Sequence, residues 1–121
     1  PLWLTPTQVR IIPLKDEFLK YCDDLADRLS SSDIRVDIDD RNETLGKRIR
    51  ESETEWIQYT LVIGEKEIGK ANLSIRDRKT GNVMELSFDE FVSEIKKQTQ
   101  GKPFTKLNLS RHLSKRPQIM V

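Results

Sequence analysis

Apolar and polar positions repeat along the chain with two periods, and the switches between them mark out the elements. Val9-Arg10-Ile11-Ile12-Pro13-Leu14 is short, apolar and β-branched, which predicts a buried strand ended by proline. From Asp16 to Leu29 the apolar residues Phe18, Tyr21, Cys22, Leu25, Ala26 and Leu29 recur at steps of three and four. That spacing predicts an amphipathic helix, with Asp16 and Glu17 suited to its first turn. Ile34, Val36 and Ile38 alternate with Arg35, Asp37 and Asp39, a strand with one buried face. A charged stretch follows, helical from about Thr44 to Glu55, with Leu45, Ile49 and Ser52 expected to turn inward. Tyr59 to Ile63 reads as a central strand. Ala71 to Arg76 alternates again, and Thr80-Gly81-Asn82 is a hairpin signal leading into Val83 to Leu86. Ser87-Phe88-Asp89-Glu90 is a capping box opening a helix that runs to about Gln100 and ends at Gly101.

The order is therefore β-α-β-α-β-β-β-α. Two successive strand–helix–strand units require parallel pairing with right-handed crossovers, and the closing hairpin adds antiparallel strands. The expected fold is α/β: a three-layer mixed sheet of about five strands with helices covering it. At 121 residues the chain is one domain, 1–121. The stretch 101–121 lacks a clear period and is expected to be an irregular basic tail. No initiator methionine precedes Pro1, which suggests a fragment of a longer protein.

Net charge is only +1, but it is unevenly spread. The first forty residues hold nine acids against five basic residues, whereas seven basic residues and no acid follow Glu94. Such a distribution suits either a solvated tail or a polyanion partner. No apolar run approaches the roughly 20 residues that span a bilayer, so no membrane partner is expected. The single cysteine, Cys22, falls on an apolar helix face and fits a reducing, cytoplasmic setting.

Catalytic chemistry finds little to work with. Gly64-Glu65-Lys66-Glu67-Ile68-Gly69-Lys70 has the spacing of a phosphate-binding loop. Ala71 stands where a hydroxyl should reach magnesium, and a strand follows where a helix is needed. Cys22 and His112 are too far apart in sequence to suggest a zinc cluster, and His112 is expected at the surface. Asp37, Asp39 and Asp40 lie close to Arg35 and Arg41, which favours ion pairs over a metal site. What remains is polar and clustered at loop edges: Arg41-Asn42-Glu43, then Lys47, Arg48 and Arg50, then Glu67 and Arg76. Asn, Glu and Arg can read the edges of unpaired bases, nearby Lys and Arg can hold phosphates, and Trp56 and Tyr59 offer stacking faces. A solvated helix face stitched by pairs such as Lys47 with Glu51 explains some of the same residues, and both readings stay open.

The residues Leu4-Thr5-Pro6-Thr7-Gln8-Val9, Val36 to Glu51 with its Asp40-Arg41-Asn42-Glu43-Thr44-Leu45-Gly46 run, Val62 to Glu67, and Leu73 to Arg78 appear in one order and spacing. Together they resemble the anticodon-binding domains of class II aminoacyl-tRNA synthetases. With the closing Leu113-Ser114-Lys115-Arg116-Pro117, the closest resemblance is to threonyl-tRNA synthetases of the archaeal type. The resemblance implies a C-terminal domain of a threonine–tRNA ligase that positions tRNA(Thr) for aminoacylation elsewhere in the parent chain; the alternatives are a prolyl, histidyl or glycyl synthetase domain of the same fold, or a repurposed anticodon-like module for protein interaction. It places anticodon base contacts on Asn42, Glu67, Arg76 and Gln8, with Trp56 as a further candidate where bacterial members carry arginine. Trp56 either stacks on a base or packs on the sheet. Arg41, Lys47, Arg48 and Arg50 are the expected RNA-backbone contacts. No catalytic residue, metal or cofactor is expected in the fragment; ATP, magnesium and zinc belong to the implied parent. That parent is expected to be a homodimer and the fragment a monomer.

Overall fold

The computed structural model describes residues 1–107 and 109–117; Asn108 and residues 118–121 of the expected tail lie outside the described residues. The eight elements form in the expected order. They are β1 (Val9–Pro13), α1 (Leu19–Ser30), β2 (Val36–Ile38), α2 (Leu45–Thr54), β3 (Tyr59–Ile63), β4 (Asn72–Asp77), β5 (Val83–Ser87) and α3 (Phe88–Thr99). The sheet order is β2-β1-β3-β4-β5. β1 pairs parallel with β2 and β3, and the β3–β4–β5 run is antiparallel.

The period-two pattern sorts the two faces. Val9, Ile11, Val36, Ile38, Tyr59, Leu61, Ile63, Leu73 and Ile75 form one buried apolar face beneath α1 and α3. α1 contributes Cys22, Leu25, Ala26 and Leu29, and α3 contributes Phe91 and Ile95, with Phe91 edge-on to Tyr59 at 5.3 Å. Each fully buried aliphatic side chain contributes about 1.5–3 kcal/mol, so this face holds the fold together. α3 begins as expected: the Ser87 hydroxyl accepts from the Glu90 N–H and Glu90 accepts from the Ser87 N–H.

The opposite face is joined by polar groups. α2 does not turn Leu45 and Ile49 fully inward; its buried residues are Arg48 and Ser52. Ser52 Oγ lies 3.3 Å from Thr60 Oγ1, and Arg48 Nη1 donates to the carbonyls of Pro13 and Asp39. At the centre Arg10 Nε and Nη2 donate to both oxygens of the buried Asp37 (2.9 and 3.0 Å), and Arg10 also pairs with Glu55 at the end of α2. Burial opposes the charge on Arg10, but the hydrogen bonds it donates to Asp37 and Glu55 outweigh it and raise its pKa above the ordinary arginine value.

The tail is irregular in backbone yet docked. Ile38 N–H donates to the Arg111 carbonyl, Leu113 is buried, and Ser114 donates to Asp40 from both its N–H and its hydroxyl. Arg116 reaches Asp37 at 3.0 Å, and Arg111 and His112 pair with Asp27 and Asp23. His112 is thus half-buried against α1 and not a free surface side chain. Part of the tail's positive charge is spent inside the molecule. Arg35, expected to pair with the neighbouring acids, instead donates to the carbonyls of Trp3, Thr5 and Thr105, tying both ends of the chain to β2.

Candidate nucleic-acid interface

The polar face is only half covered. α2 lies over β1 and, through Ser52 on Thr60, the start of β3, while further along β3 and on β4 and β5 the same face carries Val62, Ser74, Arg76, Val83 and Glu85 at intermediate to full exposure, Val83 reaching 58%. The register lines up one row across all five strands: Asp37, Arg10, Thr60, Arg76 and Val83. Charge in that row is neutralised beneath α2 and left open beyond it. The Arg76 guanidinium has no hydrogen bond or ion pair among the described residues and borders a cavity of about 80 Å³ with Glu53, Ile57, Thr60, Asp77 and Arg78.

α2 runs along the strands, from the edge of the sheet at the C-terminal ends of β2 and β3 to the edge at their N-terminal ends, about 15 Å at 1.5 Å per residue. Asn42 sits exposed in the loop before its N-terminus, and Glu67 lies in the loop leaving β3 at the same edge. Glu67 Oε2 accepts from the Gly64 N–H at 2.8 Å, which fixes the loop and leaves the second carboxylate oxygen available. A Cβ at Gly64 would stand 2.7 Å from Leu14 Cδ1 and 3.3 Å from Glu67 Oε2, so a larger residue here would push the exposed Leu14 side chain aside. Arg76 lies at the other end. It faces Thr60, and the three steps from Thr60 to Ile63 put about 10 Å of strand between it and the Glu67 loop. Lys47 and Arg50 are exposed on α2 between the two groups. Lys47 is flanked by Glu43 (3.2 Å) and Glu51 (3.9 Å), and Arg41 is held by Asp39 and Glu51. Hydrogen bonding to Asp39, against some desolvation, raises the Arg41 pKa further above its ordinary value.

Two of the expected contacts are placed elsewhere. Gln8 is 2% exposed; its Nε2 donates to the Leu2 carbonyl and its Oε1 accepts from the Arg35 N–H. It braces the N-terminal turn against β2 and presents nothing to a ligand. Arg48, expected on RNA phosphates, is 6% exposed beneath α2 on two carbonyls, with its Nε left without a partner. A run of arginines on a charged helix does not reveal which one the sheet will cover.

Trp56 stacks on neither the sheet nor the core; it is 70% exposed. Its ring carries the guanidinium of Arg78 at 4.0 Å, and Arg78 Nε donates to the Glu53 carbonyl. Arg78 is the residue that reading the sequence missed as a member of this surface. Its place beside Trp56 depends on the turn after α2 and on the β4–β5 hairpin, which meet only in the folded chain. Among the described residues no group of three or more His, Cys, Asp or Glu side chains could hold a metal ion, and the Gly64–Lys70 loop leads into β4 and not into a helix. Nor is any helix among them long and apolar enough to cross a membrane.

Comparison with known proteins gives this fold a family. The family described as the anticodon binding domain matches residues 8–98, and the chain belongs to that family. Within it, the chain is 69% identical over all 121 residues to threonine–tRNA ligase of Nitrosopumilus maritimus, and it spans about 20% of that protein's length. Among solved structures it is similar to the RNA binding domain of threonyl-tRNA synthetase from Cryptosporidium parvum (TM-score 0.72, 26% identity, 88% of this chain and 26% of that one). Prolyl-tRNA synthetase of the same organism also shares the fold (TM-score 0.68, 29% identity, 77% and 20% of the two chains).

Proposed function

We propose that this domain reads the anticodon of tRNA(Thr) as part of a threonine–tRNA ligase, and that the rest of the parent chain carries the ATP-, magnesium- and zinc-dependent aminoacylation in the cytoplasm. The observation that carries the reading is Arg76: a guanidinium without a partner among the described residues, on an open sheet face, where other central arginines are tied to carboxylates or carbonyls. The 69% identity to a threonine–tRNA ligase supports threonine as the amino acid. Threonine codons fix two bases, so the second and third anticodon bases are G and U while the first varies. An arginine donates well to G O6 and N7, and a glutamate or asparagine can pair with the edge of an unpaired base. The spacing of Arg76 from Glu67 and Asn42 suits bases splayed along α2, with Lys47 and Arg50 toward the phosphates and Arg41 held back by its carboxylates. The domain itself is a monomer in this reading, and dimerisation belongs to the parent's catalytic part.

The test is titration of the chain with a threonine-type anticodon stem-loop at fixed salt, against loops changed at each anticodon base. Loss at the second and third bases with tolerance at the first is expected. Arg76→Ala should cost about 1–3 kcal/mol and relax one position only. Proline anticodons share the second-base G and differ at the third, so a proline-type loop tests the rival suggested by the shared fold. Full discrimination by the Arg76 variant would overturn its role.

A further inference from the structure

We propose that Trp56 and Arg78 form a stacking ledge for the first anticodon base, which the domain grips without reading; the proposal rests on the anticodon reading above. The turn after α2 shows why Trp56 is unusual. Its N–H donates to the Glu53 carbonyl (3.1 Å), and the Ile57 N–H donates to Ser52 (3.0 Å). This is the paired bonding of a left-handed helix end, whose central position glycine usually fills. Here tryptophan takes it at φ +63°. A bulky side chain in that region is strained, and the strain is not recovered by burial, since the ring is mostly in solvent.

The ring is nonetheless held. Arg78 covers one face, and it is fixed in turn by its Nε on the Glu53 carbonyl and its backbone N–H on Gln58 (2.9 Å). A lone exposed aromatic is ordinary; an aromatic in glycine's conformation, backed by an anchored guanidinium that shares a cavity with Arg76, is a prepared surface. The cavity that Arg78 shares with Arg76, about 80 Å³, has room for two or three waters at about 30 Å³ each, too little for a base, so a base lies on the exposed ring. Stacking accepts any base because every base has a π-face. The base it suits is therefore the variable one.

The chain has two tryptophans, so a Trp3→Phe background leaves Trp56 as the only indole fluorophore. The expected result is quenching on binding the threonine-type stem-loop. Quenching should survive any base swap at the first anticodon position and disappear when that nucleotide is abasic. Trp56→Ala should weaken binding roughly 5- to 150-fold, Trp56→Phe should retain most of it, and Arg78→Lys should reduce the quench although the charge remains. Trp56→Gly, which suits the backbone, should fold and yet bind as poorly as the alanine variant. Unchanged emission, or unchanged affinity of Trp56→Gly, with base selectivity at the second and third positions intact, overturns the ledge and leaves the anticodon reading standing. A quench insensitive to abasic substitution at every loop position overturns it too. Binding by the unaltered chain that ignores all base changes overturns the reading and the ledge with it.

Discussion

Asp37→Asn is the sharpest test of the buried ion cluster that lies beneath α2. Asp37 is fully buried and accepts four hydrogen bonds: two from Arg10, one from Arg116 Nη2 and one from Thr7 Oγ1, all within 3.0 Å. Asparagine keeps the volume, so no cavity opens, but it removes the charge and turns an amide N–H₂ toward a guanidinium. Breaking a buried pair from one side costs about 3–5 kcal/mol, because the remaining charge is stranded. Glu55 still faces Arg10 from the other side, which puts the loss near the lower end, about 3 kcal/mol. In urea, with a slope of about 1.5 kcal/mol/M, the midpoint should fall by about 2 M with the slope unchanged. Replacing both partners, Arg10→Met with Asp37→Leu, should recover most of that loss, since no charge is left unpaired. A loss below about 1 kcal/mol for Asp37→Asn, or a double variant as weak as the single one, would refute the view that this ion cluster joins the two layers.

Other expectations follow from single groups. Arg50→Ala should weaken all RNAs alike and lower the salt slope by about one, read from titrations at several ionic strengths. Burial pushes the Cys22 thiol up to about 12, with the nearby Asp23 adding to it. A thiol reagent at pH 8 should leave the native chain unlabelled and react at once in denaturant. Because the folded value is raised, this contribution to stability is whole below the unfolded thiol pKa near 9 and is lost as pH climbs toward 12. Glu90 goes the other way: the Ser87 N–H and hydroxyl hold its carboxyl below the usual range. Its contribution is present above the ordinary value of 4.5 and lost as pH falls through the depressed one, so Glu90→Gln should flatten the acid limb of thermal melts between pH 5 and 3, roughly.

The apolar half of the architecture was legible because period-two and period-three-to-four patterns are local. Ile34 to Ile38, Tyr59 to Ile63 and the α1 stripe each declare their buried side within a few residues, and the Ser87–Glu90 box declares a helix start. The polar half was not legible, because its logic is long-range. Arg10 alternates with apolar residues just as a solvated arginine would, and only the parallel register with β2, 27 positions away, buries it on Asp37. The same limit explains Gln8 and Arg48, whose residue types suit RNA but whose polar atoms are spent on Leu2, Arg35, Pro13 and Asp39. Trp56 was visible as a residue, but its left-handed backbone and its guanidinium backing were not.

The two unlike faces of the sheet give the domain two kinds of thermal behaviour. The α1 and α3 side coheres by apolar burial, which weakens on cooling and dominates the heat-capacity change of unfolding. The α2 side coheres through Arg10, Asp37, Glu55 and Arg116, whose desolvation penalty shrinks as temperature rises. Exposing such polar surface lowers the heat-capacity change, so this layer flattens the stability curve. Both faces therefore hold on moderate warming, one by apolar burial and one by its ion pairs, and with them the separation of Asn42 and Trp56 at the two ends of α2.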